Sequence, residues 1–476
     1  MGTATKKRRV YGEHFTPIRI FKEFILPEIK DDLYQYVWVD LFAGEGNLIL
    51  PILELIPNNK RINFFRNHIF LFDVQDEFIE KSIENAIKYG IPPDIAVENI
   101  RHMDTIKTYP NFLLNLEFPI YHITNPPYLY IGYIAKNSGT QVYLEYFRGG
   151  NEGYQDLYQL GMINDLRKGI PKMIYIIPSN FLFGASVSNK IRDDFLKYNT
   201  IKKAIIFEKE IFEYTGTNVA ICFFEKKDIP KNEIIFFEGT KINKLIQKRV
   251  YTLVPKNHYR AGSEFEKFLD ENRSPKPLGI NYYLTKMDVE KNKGNFEITV
   301  IDANNFNGKE YEKMLIHINK NLYDRIRSNI LFIRTVDTGS INGRIGLFKI
   351  KDVYNVNGIL VTKARYRTHP IQIFLTPPLS TEEQILLKNY FNLILEYFRK
   401  KTDSEFMTTY KYSNSEYTRK YLGLSQVKKL IQTFPILILK DNEKDYFNEL
   451  IIDGNIKELF SFLKMKNGKK ELNLWG

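Results

Sequence analysis

Four consecutive residues, Asn125-Pro126-Pro127-Tyr128, combine groups that can act on an aromatic amine such as that of a nucleobase. The lone pair of such a nitrogen is delocalised into the ring, so the amine is a weak nucleophile. Acceptors placed against both of its hydrogens let the lone pair localise. The Asn125 side-chain oxygen and the Pro126 backbone carbonyl are a suitable pair. The prolines stiffen the loop and aim that carbonyl, and Tyr128 offers a flat face on which an extruded base can stack. No metal is needed, because the chemistry is in-line positioning and electrostatic matching.

Asp40-Leu41-Phe42-Ala43-Gly44-Glu45-Gly46 is a second such run. Its glycines let the backbone approach a ligand closely. A pyrophosphate cradle would need a third glycine at position 49, which is Ile. A ligand without phosphates, such as S-adenosylmethionine, is the better fit. The acids at 40 and 45 suit its sulfonium and ammonium charges. Asp73, 33 residues after Asp40, has the place of an acid that binds ribose hydroxyls. Asp104 is a candidate acceptor for the adenine amino group of the cofactor. Either acid can instead cap the helix after it.

These residues recur at equivalent places in an alternation of strands and helices. Thr16 and Pro17 suit the N-cap and first position of an amphipathic helix with Ile18, Phe21, Phe24 and Ile25 on one face. Val37 to Leu41, His68 to Phe72, Val97 to Met103 and Ile120 to Thr124 read as buried strands, with Asp40, Asp73, Asp104 and Asn125 at their carboxyl ends. An apolar helix follows the glycine turn, with Pro51 disturbing its first turn. Asp76 to Tyr89 reads as a helix with Phe78, Ile79, Ile83 and Ile87 inward, stopped by Gly90 and Pro92. Later strands fall at Lys172–Pro178, Ala204–Phe207 and Val219–Phe224. The alternation predicts a doubly wound, mostly parallel sheet, with ligands at the strand carboxyl ends. Residues 129–155, which hold Gly132, Gly139, Gly149, Gly150 and Gly153, read as a mobile loop.

One core seldom grows past about 250–300 residues, so 476 residues predict two domains. The pattern weakens after Lys227, which places the boundary near 238: residues 1–238 form the α/β domain and 239–476 an α+β domain. The formal net charge of +12 favours an anionic partner. A single cysteine, Cys222, excludes an intrachain disulfide and a cysteine zinc site and fits a reducing cytoplasm. No apolar run approaches the roughly 18 residues of a membrane span. Lys6, Lys7, Arg8 and Arg9 read as a phosphate-touching arm. In the second half, Lys363, Arg365, Arg367 and His369 form a basic stripe with Tyr366. Tyr410, Lys411, Tyr412, Tyr417, Arg419, Lys420 and Tyr421 form an aromatic-laced basic cluster. Lys and Arg meet phosphates, and Arg reads guanine edges. Gly339 to Arg344 is a loop of a kind that enters a groove.

The order of motifs over residues 11–227 resembles the gamma class of N6-adenine DNA methyltransferases, the TaqI-like enzymes of restriction-modification systems. Phe15-Thr16-Pro17, the Asp40–Asn47 turn, Asn125–Tyr128, Asp156-Leu157-Tyr158 and Ile177-Pro178-Ser179-Asn180 carry the resemblance. Leu41-Phe42 departs from it, since many members have a proline there. The resemblance implies a Rossmann-like S-adenosylmethionine-dependent catalytic domain followed by a target recognition domain. It implies that Thr16 touches the methionine end of the cofactor, with Asp40, Phe42, Ala43, Gly44, Gly46 and Asn125 around it. Asp73 would hold the ribose and Asp104 the adenine ring. Asn125, Pro126, Pro127 and Tyr128 would grip the flipped base, with Phe212, or secondly Tyr214, on its far side. Lys363, Arg365, Arg367, Tyr412, Arg419 and Lys420 would meet double-stranded DNA. The implied enzyme is a monomeric type II modification enzyme of the prokaryotic cytoplasm, whose cognate endonuclease acts separately. Alternatives are a related transferase acting on RNA, on a protein glutamine or on cytosine N4, and a DNA-binding relative that has lost catalysis.

Overall fold

The computed structural model describes residues 16–209, 211, 218–243, 245–338, 340–363, 370–411 and 419–467. The first half builds a nine-stranded sheet: β1 (Val37–Asp40), β2 (Ile69–Asp73), β3 (Ile100–His102), β4 (Ile120–Thr124), β5 (Lys172–Pro178), β6 (Asn199–Phe207), β7 (Val219–Lys226), β8 (Ile235–Ile242) and β9 (Ile246–Leu253). The spatial order is β3-β2-β1-β4-β5-β7-β6-β8-β9. The first five neighbours run parallel. β7 lies antiparallel between β5 and β6, and β9 antiparallel to β8.

Side chains alternate between the two faces of a strand, and both faces here are covered. Val37, Val39, Met173 and Ile177 pack in one apolar cluster, and Trp38, Ile123, Ile174 and Ile176 in the other. The connection reverses direction between β1 and β4, which opens a crevice at their carboxyl ends.

Several local expectations are corrected. The helix expected after Thr16 takes Pro17 as its N-cap, and Ile18 is exposed rather than on the apolar face. The element after the glycine turn is a 3-10 helix, Leu50–Leu55, with Pro51 in its first turn. Ile87 faces outward, and the small residues Ser82 and Ala86 are buried in its place. Val97 lies in the helix Pro93–Asn99, because Pro93 is favourable in a first helical turn, so β3 is shorter than expected. Residues 129–155 fold into short helices, Ile131–Ile134, Ser138–Phe147 and Gly149–Asn151, anchored by the buried Ile134 and Phe147.

The chain divides into two compact units at Ala261/Gly262, not at 238. The reason is the sheet: β8 spans position 238 and pairs with β6, and β9 completes the edge. The second unit is α+β. It has two four-stranded sheets, a two-stranded ribbon and a 22-residue helix, Thr381–Thr402, opened by a Ser380–Glu383 capping box. Its core gathers Phe265, Leu387, Tyr390, Ile394 and Phe434. Among the described residues, no helix is long and apolar enough to cross a membrane.

A fragment ending at 238 should therefore fail to fold where one ending at 261 succeeds. It would lose the buried Ile242, Tyr251, Leu253 and Tyr259, worth more than about 6 kcal/mol of burial. Thermal melts of the two fragments check this; equal cooperative transitions would overturn the placement of the boundary.

Candidate active site

The glycine turn leaves β1 at Asp40. Gly44 and Gly46 have φ of +54° and +79°, and a Cβ on Gly46 would come within 2.6 Å of Leu50 Cδ1. Both positions need glycine for conformation, and the second also for space. The turn is tied to β2 by Asp73, whose Oδ2 accepts from the Gly44 N–H at 2.9 Å and whose Oδ1 accepts from the Gln75 N–H at 3.0 Å. Asp40 Oδ1 accepts from the Thr124 hydroxyl at 2.6 Å and the Phe42 N–H at 3.0 Å.

A cavity of about 130 Å³ opens beside this turn. Phe42, Gly44, Asp73, Asp104, Asn125 and Pro127 line it, together with Phe78, Tyr143 and Tyr146. A smaller cavity is lined by Thr16, Asp40, Phe42, Ala43, Gly44 and Asn125. Nearly all the residues expected at a cofactor site thus converge on two cavities that share Phe42, Gly44 and Asn125. Gly46 lines neither and serves the turn. Thr16 does not cap a helix. Its hydroxyl accepts from Asn125 Nδ2 at 3.0 Å, and its carbonyl from Asn47 Nδ2 at 3.2 Å.

The loop after β4 is fixed from several sides. The Tyr128 hydroxyl donates to Asn125 Oδ1 at 2.5 Å and also reaches the Ile176 carbonyl at 2.8 Å, so one proton serves two acceptors. Among the described residues, no donor reaches the Pro126 carbonyl. Asp156 accepts the Leu129 N–H at 2.8 Å, immediately past Tyr128. Asp156 opens the helix Leu157–Lys168, where Gly161 lets Phe42 approach: a Cβ there would lie 3.1 Å from the Phe42 ring.

Some contributors carry no motif. Tyr146 donates to Asp104 Oδ2 at 2.7 Å, and the Lys107–Glu145 ion pair closes at 2.6 Å beside it. Burial and Asp104 together push the Tyr146 hydroxyl up. Nothing but a local richness in Tyr marks this segment in the sequence. Phe212, Tyr214, Arg365, Arg367, Tyr366, His369, Tyr412 and the basic tetrad Lys6–Arg9 lie outside the described residues. Lys363 is exposed and Arg419 partly buried, whereas Lys420 is buried on a strand, contrary to its expected place on a DNA-facing surface. Arg344 approaches Glu396 at 3.9 Å, so its charge is partly matched within the second unit.

The N-6 DNA Methylase family matches residues 2–314, about two thirds of the chain. The chain belongs to the N-6 DNA methylase family. The match runs past the end of the first unit, beyond the 11–227 span of the motifs. No curated protein matches the chain. Similar solved structures include the methyltransferase subunit of a type I restriction-modification system from Streptococcus thermophilus, at 18% identity over 50% of this chain and 49% of that one, TM-score 0.36. The EcoKI M protein is similar at 14% identity over 63% and 62%, TM-score 0.38. The type IIG restriction endonuclease BpuSI is similar at 13% identity over 98% and 65%, TM-score 0.40. This chain spans less than two thirds of the length of each. At such identities and TM-scores these likenesses add nothing to the family match. The Rossmann-like α/β unit with an α+β second unit, expected from the sequence, is the fold of this member of the family.

Burial raises the Asp40 carboxyl to about 6, Asp156 to about 7, and pushes Asp73 up as well. Among the described residues, no Lys or Arg pairs with Asp40 or Asp73. A native carboxyl with a raised pKa holds a proton that the unfolded chain has released, so stability falls as pH rises from about 4 to about 7 and then levels off. Asp156→Asn should remove on the order of 2 kcal/mol of that fall between about pH 5 and 7. Denaturant titrations across this range read it, and an unchanged slope would mean that Asp156 is ionised throughout.

Proposed function

We propose that this N-6 DNA methylase is a site-specific DNA methyltransferase that methylates adenine at N6, using S-adenosylmethionine, as the modification enzyme of a type II restriction-modification system with a separate nuclease. The observation that carries this reading is the place of Asn125: it lines both cavities at once. The family match and the Asn125–Tyr128 run support the same chemistry.

The donor set fits the cofactor. Two buried carboxyls without Lys or Arg partners suit a cation, because a bound positive charge favours their ionised forms. Asp40 and Thr16 are assigned to the methionine end, Asp73 to the ribose and Asp104 to the adenine. Phe78, Tyr143 and Tyr146 are assigned as aromatic walls. S-adenosylmethionine supplies an electrophilic methyl group on a sulfonium.

The chain's own groups then act on the base. Extrusion costs unpairing, which stacking on Tyr128 offsets in part. Asn125 Oδ1 and the Pro126 carbonyl are assigned as the acceptors for the two amino hydrogens. The lone pair is freed toward the adjoining cavity. Phe212 is assigned to the far face of the base. Lys363, Arg365, Arg367, Tyr412 and Arg419 are assigned to DNA; Lys420 is not, being buried.

Asn125→Ala should lower turnover by at least about a hundredfold while leaving cofactor affinity within about threefold. Wild-type turnover in this variant would end the assignment. Tyr128→Phe keeps the ring but removes the hydroxyl that orients the Asn125 oxygen, so a loss of about tenfold in kcat is expected. Direct reading of modified bases in DNA from an expressing host decides the product. N6-methyladenine at one recurring sequence is expected; N4-methylcytosine, or unmodified DNA from an active preparation, would sink the reading.

A further inference from the structure

His122 sits on β4, three residues before Asn125, and is fully buried. Both ring nitrogens are engaged. The Leu41 backbone N–H donates to Nε2 at 3.3 Å. Nδ1 meets Asp165 Oδ2, which also accepts from the Tyr175 hydroxyl at 2.6 Å. A backbone amide can only donate, so Nε2 carries no proton and the ring proton lies on Nδ1, directed at Asp165. The Leu41 peptide is held on its other side too, where its carbonyl accepts from the Thr105 hydroxyl at 2.7 Å.

β1 ends at Asp40, so the Leu41 N–H has left the strand ladder. A buried donor at that point needs a partner, and His122 supplies it from the strand that bears Asn125. Leu41 and Phe42 line the larger cavity, whereas His122, Asp165 and Tyr175 do not. A buried His–Asp–Tyr cluster is a costly way to fill a core, since each polar group must find its partner. The same positions filled by apolar side chains would pack without that requirement.

We propose that His122, oriented by Asp165 and Tyr175, is a positioning residue that sets the backbone of the cofactor turn through the Leu41 N–H. This rests on the reading of the cavities as an S-adenosylmethionine site. The network acts on the turn, so its loss weakens cofactor binding and leaves the transfer step nearly untouched.

Calorimetry with S-adenosylhomocysteine and steady-state kinetics on the full chain provide the test. His122→Phe should raise the Kd and the KM for cofactor roughly tenfold, with kcat at saturation within about twofold. His122→Gln retains an acceptor and a donor and should recover part of that affinity. Leu41→Pro, which has no N–H, should weaken binding similarly and add little in the His122→Phe background. In the unaltered protein, nitrogen NMR of labelled histidine should show His122 protonated at Nδ1 and bare at Nε2. A ring protonated at Nε2, or His122→Phe with wild-type cofactor affinity, overturns the assignment. A wild-type chain that binds neither S-adenosylmethionine nor its homocysteine product overturns the reading of the cavities, and this assignment with it.

Discussion

The pairing of β1 with β4 is the constraint on which the site depends. Val37, Trp38 and Val39 lie beside Ile120, Tyr121 and His122 in parallel register. That register brings Asp40 level with the end of β4, where Thr124 closes a 2.6 Å hydrogen bond onto it. A slip of one residue would turn every β4 side chain to the opposite face. A slip of two would carry Asn125 about 6.6 Å along the strand. Neither is tolerable when both faces are buried, so the hydrophobic pattern of the sheet fixes the distance between the glycine turn and the Asn-Pro-Pro-Tyr loop.

The electrostatics follow from the same placement. Parallel strands buried on both faces leave their carboxyl ends as the one polar rim, and the acids there are desolvated by the walls around them. Asp40 is raised to about 6 and is tied by Thr124 and Phe42 rather than by a cation. Asp73 is likewise held by backbone N–H groups of the turn and its own strand end. Hydrogen bonds of this kind keep the carboxylates oriented without neutralising them. The rim therefore presents negative potential to a small ligand, while the chain as a whole carries +12. Opposite signs at the two scales suit a protein that binds a cation in a cleft and a polyanion over its surface.

Much of this was legible in the sequence, because the strongest signals are short-range. Ile120–Thr124 and Lys172–Pro178 are short runs dominated by apolar and β-branched residues, and the structure returns those bounds unchanged. Counting from such runs places Asp73 and Asn125 at strand ends. The failures share a different cause. Val97 is as apolar as a strand residue, yet Pro93 commits its segment to a helix. The change in composition points to a boundary near 238, but sheet pairing between β6 and β8 is non-local and leaves no local mark. Tyr146 and His122 are partners of Asp104 and Leu41 across 42 and 81 residues. Their contribution is set by tertiary approach alone, and single-sequence patterning does not report it.

The helix Leu157–Lys168 shows how few elements need to be rigid for such a site to hold its shape. Asp156, at its N-cap, fixes Leu129 just past the Asn-Pro-Pro-Tyr loop. Gly161 admits the Phe42 ring. Asn164 donates to the Ile106 carbonyl at 3.0 Å, steadying the segment that follows Asp104. Asp165 engages His122 on β4. Gly161, Asn164 and Asp165 are spaced by three and four residues, so one helical face addresses three separate stretches of chain. Loops are the mobile parts of a fold, and a site assembled from loops alone would inherit their spread. Here each loop is referenced to one rod packed on the sheet, so its fluctuations are correlated with those of the others. The relative placement of the turn, the Asp104 segment and the Asn125 loop then depends on the packing of a single helix against β4 and β5.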